Sequence, residues 1–251
     1  MYPPGGGVEE GESPAEAAER ETLEETGLVV RANPALTIVR THPFRWDAID
    51  FDVTTHYFGA ALEHAPPLSP VHDAPYHEGA SWLPVDDALE AMALHPVIAS
   101  ASRRVVRMID HAAWRTHAHF GGPAALLLSI HDQFRVASKR LLHALASPSP
   151  PDATRVGLMF RPLATTLHHH HHAEEAMLFP AIERHGETPP ARLVRDHAEL
   201  TRAIEAVEME RGLDTVTHFD AVLEAHLDRE ERLVMPFLLG LSPAEAWALL
   251  G

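Results

Sequence analysis

Apolar residues recur every three to four positions through most of the second half of the chain. That period is helical, because it lays the apolar side chains along one face. It predicts four helices, over residues 124–146, 156–185, 190–211 and 213–239. The breaks between them are Ser147-Pro148-Ser149-Pro150-Pro151, then Gly186 with Pro189-Pro190, then Gly212. Glycine and proline runs of this kind end helices. The inward stripes read Leu127, His131, Phe134, Leu141 and Leu145 on the first helix, and Leu163, Leu167, His170, Glu174 and Leu178 on the second. They continue with Leu193, His197, Leu200, Ile204 and Val207 on the third, and Phe219, Leu223, His226, Glu230 and Leu233 on the fourth. Helices of this length joined by short breaks predict an up-down four-helix bundle.

The first half mixes two patterns. Residues 35–39 and 51–62 are rich in β-branched and aromatic side chains and read as strands. Ser81-Trp82-Leu83-Pro84 reads as a short strand, Val85 to Ala93 as a short helix begun by Asp86 or Asp87, and residues 97–116 as a longer helix. The expected organisation is an α+β unit over residues 1–116, a linker at 117–123 around Gly121-Gly122-Pro123, an all-α bundle over 124–240, and a tail at 241–251.

Composition narrows the classes of function. The chain has 251 residues, the size of about one or two domains. Its formal charge of -16 argues against a nucleic-acid partner held by bulk charge. Cysteine is absent, which excludes disulfides, iron–sulfur clusters and thiolate zinc sites and fits a reducing cytoplasm. Met1-Tyr2-Pro3-Pro4-Gly5-Gly6-Gly7 has neither a basic start nor an apolar run, so no secretory leader is expected. No uncharged apolar stretch is long enough for a bilayer, so no membrane partner is expected either. Histidine is the outlier: there are 20, and most follow position 100.

Six of the inward positions are metal-ligand types: His131, His170, Glu174, His197, His226 and Glu230. Two spacings repeat, His170-x-x-x-Glu174 and His226-x-x-x-Glu230, each placing an imidazole and a carboxylate one turn apart on one face. Each is followed by a similar tail, Glu174-Glu175-Ala176-Met177-Leu178-Phe179-Pro180 and Glu230-Glu231-Arg232-Leu233-Val234-Met235-Pro236. Buried carboxylates are costly, and coordination is one of the few things that compensates. Six inward nitrogen and oxygen donors suit two cations bridged by carboxylates; donors without sulfur favour iron or manganese, and zinc is not excluded by ligand type. Five consecutive histidines run from His168 to His172, and one helix face points only part of them inward. His170 fits best, and His171 is the rival because it pairs with Glu175 at the same spacing. His143, His185 and His218 have no carboxylate at the useful distance and read as structural or surface residues.

These residues resemble a known family. His170-x-x-x-Glu174-Glu175-x-x-Leu178-Phe179-Pro180, Asp196-His197 and His226-Leu227-Asp228-Arg229-Glu230-Glu231 look like the hemerythrin-like, or HHE cation-binding, domains over about residues 124–240. The resemblance implies a non-haem di-iron site on the six ligands above. The oxygen-carrying hemerythrins place a second histidine one turn after the third-helix ligand, where this chain has Thr201, and use a more distant aspartate on the fourth helix. The carboxylate-rich pattern here implies redox, O2 or NO sensing, or iron handling rather than oxygen carriage.

A second motif lies near the start. Ser13 is placed to cap a helix, Pro14 suits its first turn, Glu16 completes a capping box, and Gly27 closes it. Glu21, Glu24 and Glu25 then share one face, a cluster that suits a hard cation such as magnesium, with Arg20 beside it. The pattern Gly6-x5-Glu12-x7-Arg20-Glu21-x-x-Glu24-Glu25-x-Gly27-Leu28 is similar to the signature of the Nudix hydrolases, apart from Thr22 where a larger aliphatic is usual. The resemblance implies Mg²⁺-dependent cleavage of a small-molecule diphosphate. Glu21, Glu24 and Glu25 would hold the metal, Arg20 would orient them, Gly6 and Glu12 would shape the loop, and Glu78 would assist from a later loop. Nudix domains carry strands ahead of this motif, whereas here it begins almost at Met1, so a partial Nudix sheet is expected.

Two readings follow. One is a Nudix-type pyrophosphohydrolase fused to a hemerythrin-like bundle with two Fe ions. The other is a non-enzymatic iron- or gas-binding protein whose first half is vestigial.

Overall fold

The computed structural model describes residues 2–46, 48–64, 66–68, 79–186 and 191–250. These divide into two compact units, Met1–Ala113 and Trp114–Gly251.

In the first unit, helix α1 (Pro14–Thr26) starts from Ser13. The Ser13 hydroxyl accepts from the Glu16 backbone, and the Glu16 carboxylate accepts from the Ser13 N–H in return. Gly27 ends the helix in the left-handed conformation at φ 76, which costs a glycine nothing. The chain then forms one antiparallel pair, β1 (Val29–Trp46) and β2 (Ile49–His64). Pairing jumps from Asn33↔Gly59 to Thr37↔Phe58, so Pro34, Ala35 and Leu36 bulge out of the ladder. Proline has no N–H to give a ladder, so the bulge is where the sheet tolerates it. Two helices follow, α2 (Val85–Ala91) and α3 (Pro96–Arg115). Ala101 and Val105 of α3 pack on Ile38 of β1, with Tyr57 and Met108 beside them.

Two expectations change here. Ser81–Pro84 is not a strand, because no third strand among the described residues pairs with it. Helix α2 begins after Pro84 with no side-chain cap, and Asp86 and Asp87 sit in its first turn instead. Glu78 lies outside the described residues.

The second unit is all helical. Helix α4 (Gly122–Leu145) is followed by α5 (Ala153–Ala173), a five-residue π turn (Glu174–Leu178) and α6 (Phe179–Arg184). Then come α7 (Ala191–Met209), α8 (Leu213–Gly240) and a short α9 (Pro243–Leu250). Helix α4 packs on α5 and α8, and α7 packs on α5 and α8, which closes the four-helix bundle. Its interior is layered. One apolar layer contains Phe134, Phe160, Leu163, Leu167, Leu200, Phe219 and Leu223. Another contains Leu127, Leu128, Leu178, Phe179, Leu193, Val234 and Met235. Between the layers lies a level of buried histidines and carboxylates. Leu233 leaves the expected stripe and is exposed, while Val234 and Met235 take the interior of α8. Among the described residues, no single helix is long and apolar enough to cross a membrane.

Candidate metal centre

Every helix of the bundle sends donors into that polar level. His131 comes from α4, His170 and His171 from α5, Glu174 from the π turn, His197 from α7, and His226 and Glu230 from α8. The structure therefore brings together all six residues expected from the spacing and adds His171. The donors fall into two groups whose ligand atoms lie within 4.8 Å of one another: His171, His197 and His226, and His131, His170, Glu174 and Glu230. The rings of His171 and His197 stack at 3.9 Å, and His226 stands edge-on to both. His131 and His170 turn their Nε2 atoms to within 3.0 Å of each other.

The two carboxylates lie between the groups. Glu174 places one oxygen 2.8 Å from His170 Nε2 and the other 3.4 Å from His197 Nε2. Glu230 Oε2 lies 3.4 Å from His131 Nε2 and 3.3 Å from His226 Nε2. Yet both oxygens of Glu174, both oxygens of Glu230, both ring nitrogens of His226 and the Nε2 atoms of His171 and His197 are buried without a hydrogen-bond partner. A protein interior does not normally leave so many strong acceptors and donors unmade, because each costs about 1–3 kcal/mol or more. Lone pairs converging on a dry point are the arrangement a pair of cations satisfies, so these residues fit the metals that the bundle implies.

The structure turns both His170 and His171 toward the bundle interior. The two side chains point about 100° apart on the helix and straddle the interior. His170 meets His131 of α4, and His171 meets His197 of α7 and His226 of α8. Glu174 lies four residues after one and three after the other, so it shares a helix face with both. His171 thus supplies a third imidazole to the group where Thr201, whose hydroxyl donates to the His197 carbonyl, has none to give.

The doubled Glu-Glu pairs have a matched use. The first glutamate of each lies between imidazoles of the two histidine groups, and the second holds a histidine on another helix. Glu231 Oε1 is 2.9 Å from His131 Nδ1, and Glu175 Oε1 is 2.7 Å from His197 Nδ1. Such partners fix the ring tautomer and leave Nε2 to face the centre. The two differ in setting: the Glu231 side chain is 1% exposed and the Glu175 side chain 45%. Glu231 is also held by Arg135, whose guanidinium donates to Glu231 at 2.7 Å and to Asp228 at 2.9 Å. Beyond them, Ser138 and Lys139 of α4 reach Asp220 of α8. The motif contains Glu231 without giving it a role, and Arg135 lies outside the motif. The signal was there, since Arg135 follows His131 by one turn and Glu231 adjoins Glu230.

Electrostatics agree with the geometry. Burial alone would lower the His226 pKa, but Asp196 3.9 Å away, Glu230 and Glu174 more than reverse this and hold it at about 9. His171 moves the other way, to about 2, through burial and the adjoining His197 and His226 imidazoles. Burial opposes ionisation of Glu174, and His170 and His197 outweigh it, keeping its carboxyl well below the usual range.

The acidic helix of the first unit is wetter. Arg20 donates to both oxygens of Glu12, to Glu21 at 2.9 Å, to Glu24 at 3.1 Å and to the Gly7 carbonyl. The Gly5 N–H donates to Glu25. A Cβ at Gly6 would lie 2.2 Å from a Glu21 oxygen, so only glycine lets this loop close over the carboxylate. Hydrogen bonds from Arg20 and the Glu9 backbone lower the Glu12 pKa. Among the described residues, Glu21, Glu24 and Glu25 do not form a convergent donor group of the kind seen in the bundle.

Comparison with known families agrees with this division. Residues 2–106 match the NUDIX domain, and residues 122–238 match the Hemerythrin HHE cation binding domain. The chain carries a NUDIX domain followed by a hemerythrin HHE cation-binding domain. No curated protein and no solved structure matches it.

Proposed function

We propose that the bundle holds two iron ions and responds to O2, NO or redox state, and that the first domain is a Mg²⁺-dependent hydrolase of a nucleoside diphosphate derivative. The observation carrying the bundle reading is the set of unpartnered buried donor atoms between the two histidine groups. His171, His197 and His226 would hold one ion, His131 and His170 the other, with Glu174 and Glu230 shared. Iron at these positions would supply reversible one-electron chemistry and room for a diatomic ligand, and donors without sulfur favour it or manganese. His226→Ala should lower iron content; full retention would overturn this ligand set.

In the first domain, Glu21, Glu24 and Glu25 would hold magnesium, with Arg20 fixing their orientation and the Gly6 loop closing on Glu21. Release of phosphate products from a panel of nucleoside diphosphate derivatives with magnesium tests this, and hydrolysis undiminished in Glu24→Gln would refute the assignment. A second reading, a binding protein with a vestigial Nudix half, is favoured by one observation: the described sheet has two strands. The same panel separates the readings, because a vestigial half turns over none of it.

A further inference from the structure

A groove of about 790 Å³ runs along the α4–α5 seam at the level of the metal centre. Its rim is polar, with Arg115, Asp132, Gln133 and Arg140, and its floor is apolar, with the buried side chains of Leu128, Phe134 and Leu163. The floor is where the groove meets the centre. The Phe134 ring lies 5.2 Å from the His170 ring and 6.5 Å from the His131 ring. His170 is also the one member of the two donor groups that is not fully buried. It follows Thr166, which lines the groove, by one helical turn.

We infer that Phe134 is the gate between this groove and the metal centre, and that it admits small uncharged diatomic molecules. The inference rests on the gas-binding reading above. A phenyl wall and an apolar floor offer an ion no hydrogen bond, so a charged ligand loses its hydration there, whereas a neutral diatomic loses almost nothing. The ring swings aside or is displaced, which makes entry slower than free diffusion.

The probe is nitric oxide, mixed with the air-free, iron-loaded full chain in a stopped-flow instrument. Phe134→Ala should speed association by about tenfold, and Ser129→Trp, which hangs an indole over the groove from an exposed position, should slow it severalfold. Iron content and helicity are measured alongside. If Phe134→Ala fails to hold iron, Phe134→Leu and Ser129→Trp decide the question. Nitric oxide binding at the wild-type rate in iron-loaded variants would overturn the gate. No binding to the wild-type protein would instead overturn the gas-binding reading on which the gate depends.

Discussion

The molecule holds two clusters of carboxylates on helices, and they solve the problem of like charge differently. Glu21 and Glu24 of α1 and Glu12 of the loop before it surround Arg20, whose guanidinium neutralises them near the protein surface. In the bundle, Glu174 and Glu230 are buried among imidazoles, with oxygens that no protein group satisfies. The same residue type therefore carries different information in the two places. A solvated glutamate cluster costs little and needs no ion to explain it. A buried one costs several kcal/mol unless something positive sits in it. Burial turns the bundle spacing into a strong argument for metal, while the α1 spacing depends on the motif.

The sharpest way to break this comparison is His171→Ala. It removes a donor that the helical pattern alone ranked second, and iron affinity at that position should fall by more than the roughly 10–100-fold typical of losing an outer partner. Iron per chain after gel filtration checks it, and unchanged content would return His171 to a packing role.

Next come the two outer carboxylates. Glu231→Gln removes a dry, arginine-held partner of His131 and should weaken iron binding by about 10–100-fold. Glu175→Gln removes a partner that is 45% exposed and should change binding by less than about threefold. Equal effects would show that exposure does not set the strength of these partners.

The third prediction concerns pH. A raised pKa means that the metal-free fold keeps its His226 proton at neutral pH, and a metal must displace it. Iron affinity should therefore rise about tenfold per pH unit for this proton from neutrality up to about 9, then level off. The sign is opposite for the metal-free fold. Its stabilisation from that proton is complete below the unfolded pKa of about 6.5 and is lost as pH rises through the folded value. Competition titrations against a chelator, and thermal melts of the iron-free protein, would read the two slopes.

The smallest effect on stability should come from the other cluster. Gly6→Ala pushes the end of the Glu21 side chain out of the loop instead of distorting buried backbone, so stability should drop by less than about 1 kcal/mol. Hydrolysis should suffer far more if Glu21 holds magnesium. A large drop in melting temperature with activity intact would reverse that reading.

What the sequence disclosed follows the same division between local and tertiary effects. The Ser13–Glu16 box and the Gly27 stop are local chemistry, and they appear in the structure as the spacing implies. The bundle stripes were legible because a buried helix face has a fixed period. His171 stood only as a rival to His170, because a single-stripe reading allows one inward residue where the four-helix interior is wide enough for two. The Arg135–Glu231 pair is not legible, since sequence does not distinguish a solvated ion pair from one buried between α4 and α8. Ser81–Pro84 has strand-like composition, but a strand exists only with a partner to complete its hydrogen bonds.

The most direct test of the two-metal centre is the iron-to-protein ratio of the purified full chain, taken with an optical spectrum before and after exposure to air. About two irons per chain, with a spectrum that changes on oxidation, is the expected result if the two histidine groups, with Glu174 and Glu230, hold a pair of ions. A chain that folds fully, binds no iron when offered it, and keeps the same spectrum in air would contradict the centre.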